Sequence, residues 1–214
     1  MRAVSTVPWF YAIVDIEACG RVGIEPLVHA ERCIAHGAAW LQLRAKVGDD
    51  RDLRDLAEEM HVRCNESGVA FVMNDRVNLA AEMGASFAHV GQGDGPAADW
   101  GRMAPSVRLG RSTHCLGEVR RAVQDAPIYV AFGPVYATAT KSDASPVTGL
   151  DLLAAAHAIA RACDVPLVAI GGIDATNLED VLARADAAAF ISALLPAPNE
   201  PPSGPFERLG LGPR

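Results

Sequence analysis

The sequence predicts a single-domain (β/α)8 barrel. Eight short β-type runs recur along the chain, and most are continuously apolar, as strands of a parallel sheet covered on both faces are. Segments with helical apolar periodicity separate them, which is the rhythm of a parallel α/β fold. Eight strands within 214 residues lie near the small end for a closed barrel. An open doubly wound sheet is the alternative, but no G-x-G-x-x-G follows the first run to support its dinucleotide-binding form.

In chain order the expected strands are Trp9–Asp15, Trp40–Ala45, Ala70–Asp75, Phe87–Gln92, Arg108–Thr113, Ile128–Val135, Pro166–Ile173 and Ala188–Ala193. Glu25–His36 is a helix by the spacing of Leu27, Ala30 and Ile34. Asp52–Ser67 carries Leu53, Leu56, Ala57, Met60 and Cys64 on one stripe, with Gly68 as its stop. Shorter helices are expected over Val77–Met83, Leu116–Asp125, Leu150–Cys163 and Ala175–Ala183, the last behind Asp174 as N-cap. The stretch Gly93–Pro105 reads weakly. Residues 1–195 form the barrel on this reading. Residues 196–214 form a tail with six prolines, in which only Phe206–Leu211 supplies a turn or so of helix. The barrel's last helix is therefore missing or replaced. Phe190 and Leu194 are expected to need a cover: the tail, or a second subunit in a homodimer.

A net charge of −7 argues against general nucleic-acid binding, which needs clustered Lys and Arg. No apolar run is long enough to span a bilayer, and no signal-peptide pattern is seen. The five cysteines are scattered, which suits reduced thiols in a cytoplasmic protein better than disulfides or structural zinc.

Polar residues at the C-terminal ends of barrel strands are the candidates for chemistry. Gln42, Arg44 and Lys46 alternate onto one side of the second strand, where an amide, a guanidinium and an ammonium suit a diphosphate and a polar heterocycle. The alternative is a solvated basic edge. Asp75 and Asp94 end the third and fourth strands. They read as magnesium ligands, since one or two carboxylates with substrate phosphates commonly hold that ion, or else as N-caps of the following helices. Ser112 is an anion donor, and His114 a proton carrier or, more simply, a capping residue. Thr138, Thr140 and Lys141 on the loop after the sixth strand suit phosphate capture. Gly171-Gly172 lie at the end of the seventh strand and Ile191 and Ser192 at the end of the eighth, next to the loops that are a frequent phosphate site.

Six segments in order carry a resemblance: Gln42–Lys46, Met73–Arg76, His89–Asp94, Gly133–Lys141, Ala169–Ile173 and Ile191–Ala193. From about Phe10 to Leu195 the chain resembles the thiamine phosphate synthase family. The resemblance implies a magnesium-dependent barrel enzyme that joins a hydroxymethylpyrimidine diphosphate to a thiazole phosphate and releases diphosphate. It implies pyrimidine-diphosphate contacts from Gln42, Arg44, Lys46, Asn74, Ser112 and Lys141. Of these, Arg44, Lys46, Ser112 and Lys141 act on the reacting groups. It implies Asp75 and Asp94 as magnesium ligands, and Thr138, Thr140, Gly172, Ile191 and Ser192 as thiazole-phosphate contacts. The family usually has Pro at the position of Ala137 and Gly at those of Arg184 and Ala187, so Arg184 is expected to carry backbone strain. A thiazole tautomerase of the same superfamily, which shares Ser112-Thr113-His114, is one alternative. A non-catalytic barrel that binds phosphorylated ligands is another.

Overall fold

The computed structural model describes residues 7–94, 97–138 and 146–214. Strands β1 (Val7–Asp15), β2 (Ala38–Arg44), β3 (Ala70–Asn74), β4 (Phe87–Val90), β5 (Arg108–Thr113), β6 (Tyr129–Phe132), β7 (Leu167–Ile170) and β8 (Ala187–Phe190) close into a barrel in sequence order. Every neighbouring pair is parallel, and β8 returns to β1 through Phe10–Ala188, Tyr11–Ala189 and Ala12–Phe190. That last pairing excludes the open sheet. The helices are α1 (Ile16–Arg21), α2 (Pro26–Ala35), α3 (Asp50–Ser67), α4 (Val77–Glu82), α5 (Ala97–Met103), α6 (Leu116–Ala122), α7 (Gly149–Arg161), α8 (Leu178–Leu182) and α9 (Gly204–Arg208).

Local chemistry sets the helix ends. Asp49 accepts from the N–H groups of Arg51 and Asp52 to start α3, and Gly68 closes it in the left-handed conformation at φ 71°. Pro26 opens α2, where its missing N–H costs nothing. Helix α1 escaped the sequence reading because its cap, Asp15, is also the last residue of β1; its carboxylate accepts from Ala18 N at 2.7 Å. Strands β6, β7 and β8 are shorter than their apolar runs predict. Val135, Ile173 and Leu194 are buried against the barrel from loops and a 3-10 turn, so burial continues where pairing has stopped. Arg184 is not in the left-handed region, and its predecessor Ala183 caps α8 with right-handed helical dihedrals, so the expected strain is absent.

Alternation divides the apolar residues into two layers. Phe10, Ala12 and Val14 of β1, Leu41 and Leu43 of β2, and Val130 and Phe132 of β6 face the helices. Tyr11, Ile13, Val72, Tyr129, Ala131, Val168 and Ala189 fill the barrel. The same parity turns Gln42 and Arg44 inward, as expected.

The tail folds back on its own barrel. Helix α9 packs against the Ser192–Leu194 turn, and Phe206 stacks on His36 of the α2 C-cap with ring centroids 4.1 Å apart. Phe190, Leu194, Phe206 and Leu211 are all buried, and the Arg214 N–H donates to Ala35 O at 2.8 Å. Prolines prevent a long helix here, but a five-residue helix carrying Phe206, followed at once by Leu209 and Leu211, fills the gap. The apolar surface that motivated a homodimer is thus covered within one chain.

Two outcomes follow from this packing. Phe206→Ala should cost about 3–5 kcal/mol of stability, the usual cost of truncating a fully buried Phe, read as a lowered denaturant midpoint at unchanged slope. The second concerns His29, which is 1% exposed beside Phe206. Burial, aided by the charge of Arg32, holds its imidazole down to about 4. Between that value and the unfolded value of about 6.5 the unfolded chain binds the extra proton, so stability falls as pH drops through the window, by about 3 kcal/mol in full. Urea titrations at pH 7 and pH 4.5 should show a smaller loss in His29→Gln than in the parent chain.

Candidate active site

The C-terminal mouth of the barrel is built from β1 to β5 outward. Asp15 and Arg44 are register partners on β1 and β2, and the Arg44 guanidinium donates to the Asp15 carboxylate. Both are almost fully buried, so each makes the other's burial tolerable. Beyond the strand, the N–H groups of Lys46 and Val47 donate to Glu17 Oε1 at 2.9 and 3.0 Å, which fixes the turn. Partial burial opposes ionisation of Glu17, but those backbone donors and the Arg44 charge hold its carboxyl below the usual range. The turn sends Lys46 Nζ to Asp75 Oδ2 at 2.7 Å.

Asp75 adopts φ 61°, an uncommon conformation for a non-glycine residue, and its N–H donates to His89 O at 2.8 Å. It is not a helix cap, because α4 begins after Arg76. Asp94 turns its Oδ2 back onto the Gly91 N–H at 2.6 Å, and Trp100 Nε1 donates to Asp94 O at 2.8 Å. Asn74 is buried beside them, and its Nδ2 has no hydrogen-bond partner among the described residues.

Gln42, Arg44, Lys46, Asn74, Asp75, Asp94 and Ser112 line one cavity of about 90 Å³ at the barrel mouth. Ser112, Thr138, Gly172, Ile191 and Ser192 line a second of about 310 Å³, with His114 on its wall. Ser112, Ala131, Ile170, Ala189 and Ile191 border both, so the two spaces adjoin. Thr140 and Lys141 lie outside the described residues. The paired glycines have a second use beyond approach to an anion. At φ 99° and 64°, Gly171 and Gly172 let the loop after β7 press against the loop after β6. A Cβ on Gly171 would stand 2.5 Å from Pro134 Cβ, and one on Gly172 2.5 Å from Ala137 O. His114 precedes Cys115, the N-cap of α6; its N–H donates to Glu118 Oε2 at 2.7 Å, and its Nδ1 lies 3.1 Å from the same oxygen.

Four residues of the site were not singled out from sequence. Asp15 is the last residue of the first expected strand, and Tyr11, His89 and Tyr129 fall inside expected strands. In the barrel, Tyr11, His89 and Tyr129 form the floor of the smaller cavity. Burial pushes both phenols well above their usual pKa, so they stay neutral. Among the described residues no group of three or more His, Cys, Asp and Glu side chains is placed to hold a metal. Two carboxylates from adjacent strand ends do line the space shared with Arg44 and Lys46. That donor set fits magnesium, which takes few protein ligands and the rest from water and phosphate oxygens.

Comparison with known proteins gives the family. Residues 10–194 match the family model described as thiamine monophosphate synthase. The thiamine-phosphate synthase of Methanocella arvoryzae is 44% identical over 168 residues, covering 78% of each chain. That of Laribacter hongkongensis is 38% identical over 190 residues, covering 87% of each. The structure of thiamine phosphate pyrophosphorylase from Pyrococcus furiosus superposes with a TM-score of 0.80 at 26% identity, over 95% of this chain and 94% of that one.

The buried ion pair gives a direct expectation. Asp15→Asn keeps an acceptor for α1 but leaves the Arg44 charge without its partner. It should cost about 3 kcal/mol, the low end for a broken buried pair because Arg44 borders the cavity. Chemical denaturation of the two proteins measures it; equal midpoints would show that the pair contributes nothing.

Proposed function

The chain belongs to the thiamine monophosphate synthase family, and from that premise we propose how its two cavities divide the work. The enzyme is a transferase that joins an aminopyrimidine carrying a diphosphooxymethyl group to a thiazole phosphate, giving thiamine phosphate and diphosphate. The observation that carries the assignment is the convergence of Arg44, Lys46, Asp75 and Asp94 on one small cavity that opens past Ser112 and Ile191 into a larger one. The smaller space takes the pyrimidine and its diphosphate; the larger takes the thiazole, with its phosphate against Thr138, Gly172 and Ser192.

In this reading Arg44 and Lys46 face the leaving diphosphate, and the resemblance adds Lys141 from outside the described residues. Asp75 and Asp94 would hold magnesium, which when bound supplies further positive charge to the diphosphate oxygens. Its bond to Asp75 holds Lys46 at the mouth, within reach of a diphosphate bound beside that carboxylate. Asn74 Nδ2, buried without an acceptor among the described residues, offers a donor to the same ligand. The bond from the exocyclic carbon to the diphosphate oxygen breaks, and its electron pair leaves with the diphosphate. The electron-rich aminopyrimidine spreads the resulting positive charge, and the thiazole nitrogen donates its lone pair to that carbon. No proton needs to move, so positioning and charge stabilisation supply the catalysis.

The meeting of Gln42, Arg44, Lys46, Asn74, Asp75, Asp94 and Ser112 at one cavity favours the synthase over a tautomerase or a ligand-binding barrel. No helix among the described residues is long and apolar enough to cross a membrane. A reducing, cytoplasmic setting suits the cysteines, of which Cys19, Cys33 and Cys64 are buried free thiols; burial pushes Cys19 and Cys64 up to about 12.

Purified protein given both substrates and magnesium should release thiamine phosphate and diphosphate in equal amounts, and a chelator should stop it. Asp75→Asn and Asp94→Asn should each lower kcat by about a hundredfold, the scale of losing one stabiliser of developing charge. Full activity with chelator would overturn the metal role while leaving the transferase assignment standing.

A further inference from the structure

Beneath the smaller cavity four side chains make an unbroken hydrogen-bond chain across the barrel to Ser112. Gln42 Nε2 donates to Tyr11 OH at 2.8 Å, and the Tyr11 and Tyr129 hydroxyls are 2.7 Å apart. Tyr129 OH lies 3.0 Å from His89 Nδ1, and His89 Nε2 lies 2.8 Å from Ser112 Oγ. The residues come from β1, β2, β4, β5 and β6. The chain is a built feature. His89 stacks on the Tyr129 ring with centroids 5.6 Å apart, and a Cβ on Gly110 would stand 2.2 Å from Tyr129 Cζ, so β5 gives up a side chain to seat that ring.

Each hydroxyl has one proton, and an imidazole in its neutral form has one N–H. In the arrangement where the Gln42 amide donates and every group passes its own proton onward, the Tyr11 proton goes to Tyr129, the Tyr129 proton to His89 Nδ1, and His89 Nε2–H to Ser112 Oγ. The Ser112 proton is then left to donate into the cavity, while the Gln42 carbonyl is left to accept. The opposite arrangement, with the amide oxygen accepting and every bond reversed, also gives the two ends opposite polarity.

We propose that Tyr11, Tyr129 and His89 are positioning residues that couple Gln42 to Ser112, so that the cavity floor offers the pyrimidine an acceptor at one end and a donor at the other. An amine beside a ring nitrogen is a donor next to an acceptor, which is the complement of that floor. The proposal rests on the smaller cavity being the pyrimidine site.

The test uses Tyr11→Phe, Tyr129→Phe and the double variant, which keep both rings and remove only hydroxyls, together with Ser112→Ala. Each single Phe variant should raise KM for the pyrimidine diphosphate by about tenfold, the scale of one lost hydrogen bond to a polar ligand, with KM for the thiazole phosphate unchanged. The double variant should lose no more than either single one, because a chain broken once is already uncoupled. Losses that multiply, or that fall equally on both substrates, would reduce the hydroxyls to packing and overturn the coupling. A pyrimidine KM raised in Ser112→Ala but not in the Phe variants would overturn the coupling alone. No change in Ser112→Ala would overturn the placement of the pyrimidine as well.

Discussion

Closure of the sheet, β8 against β1, is the constraint on which the rest of the molecule depends. Once the strands form a ring, alternate residues must lie inside or outside it, and no edge is left unpaired. The inside holds few large groups, and this chain places Tyr11, Trp40, Phe87 and Tyr129 there, in tilted or edge-on contact with one another. Those rings plug the lower barrel. The upper barrel is left for Gln42, Arg44, Asn74 and Ser112, and polar groups survive inward burial only because each meets a partner or a ligand.

The buried Asp15–Arg44 pair follows from the same closure. Adjacent parallel strands in register put the two charges side by side at the point where the barrel opens. Asp15 also starts α1, and α1 carries Glu17, which shapes the turn that aims Lys46 at Asp75. The pair of cations proposed to meet the diphosphate is thus set in place, in an acidic protein, by a short relay of carboxylates. The overall charge of −7 sets solubility and long-range field; the local arrangement sets what binds.

The tail shows how a barrel tolerates the loss of a regular helix. What the outer face of β8 needs is apolar cover, and a short turn carrying Phe206, Leu209 and Leu211 provides it, tied to α2 through His36 and Ala35. The larger cavity is bordered by Ile191 and Ser192, and α9 packs on the turn that begins at Ser192. The tail therefore supports the mouth of the barrel as well as its flank.

Much of this was legible in the chain itself. Continuous apolar runs separated by periodic segments give a barrel because only a parallel sheet covered on both faces hides them. Gln42 and Arg44 were readable because period-two alternation puts them on one side, and Asp75 and Asp94 because they end runs. Strand ends were less legible: Val135, Ile173 and Leu194 are apolar for burial in loops and turns, not for pairing. The roles of Asp15, Tyr11, His89 and Tyr129 were not legible at all. Their partners lie 29, 31, 23 and 118 positions away. A tyrosine that packs and a tyrosine that also relays a hydrogen bond are the same letter. Sequence determined which faces are buried, because that depends on local periodicity; the tertiary structure decided which polar groups meet, because that depends on the register of strands closed into a ring.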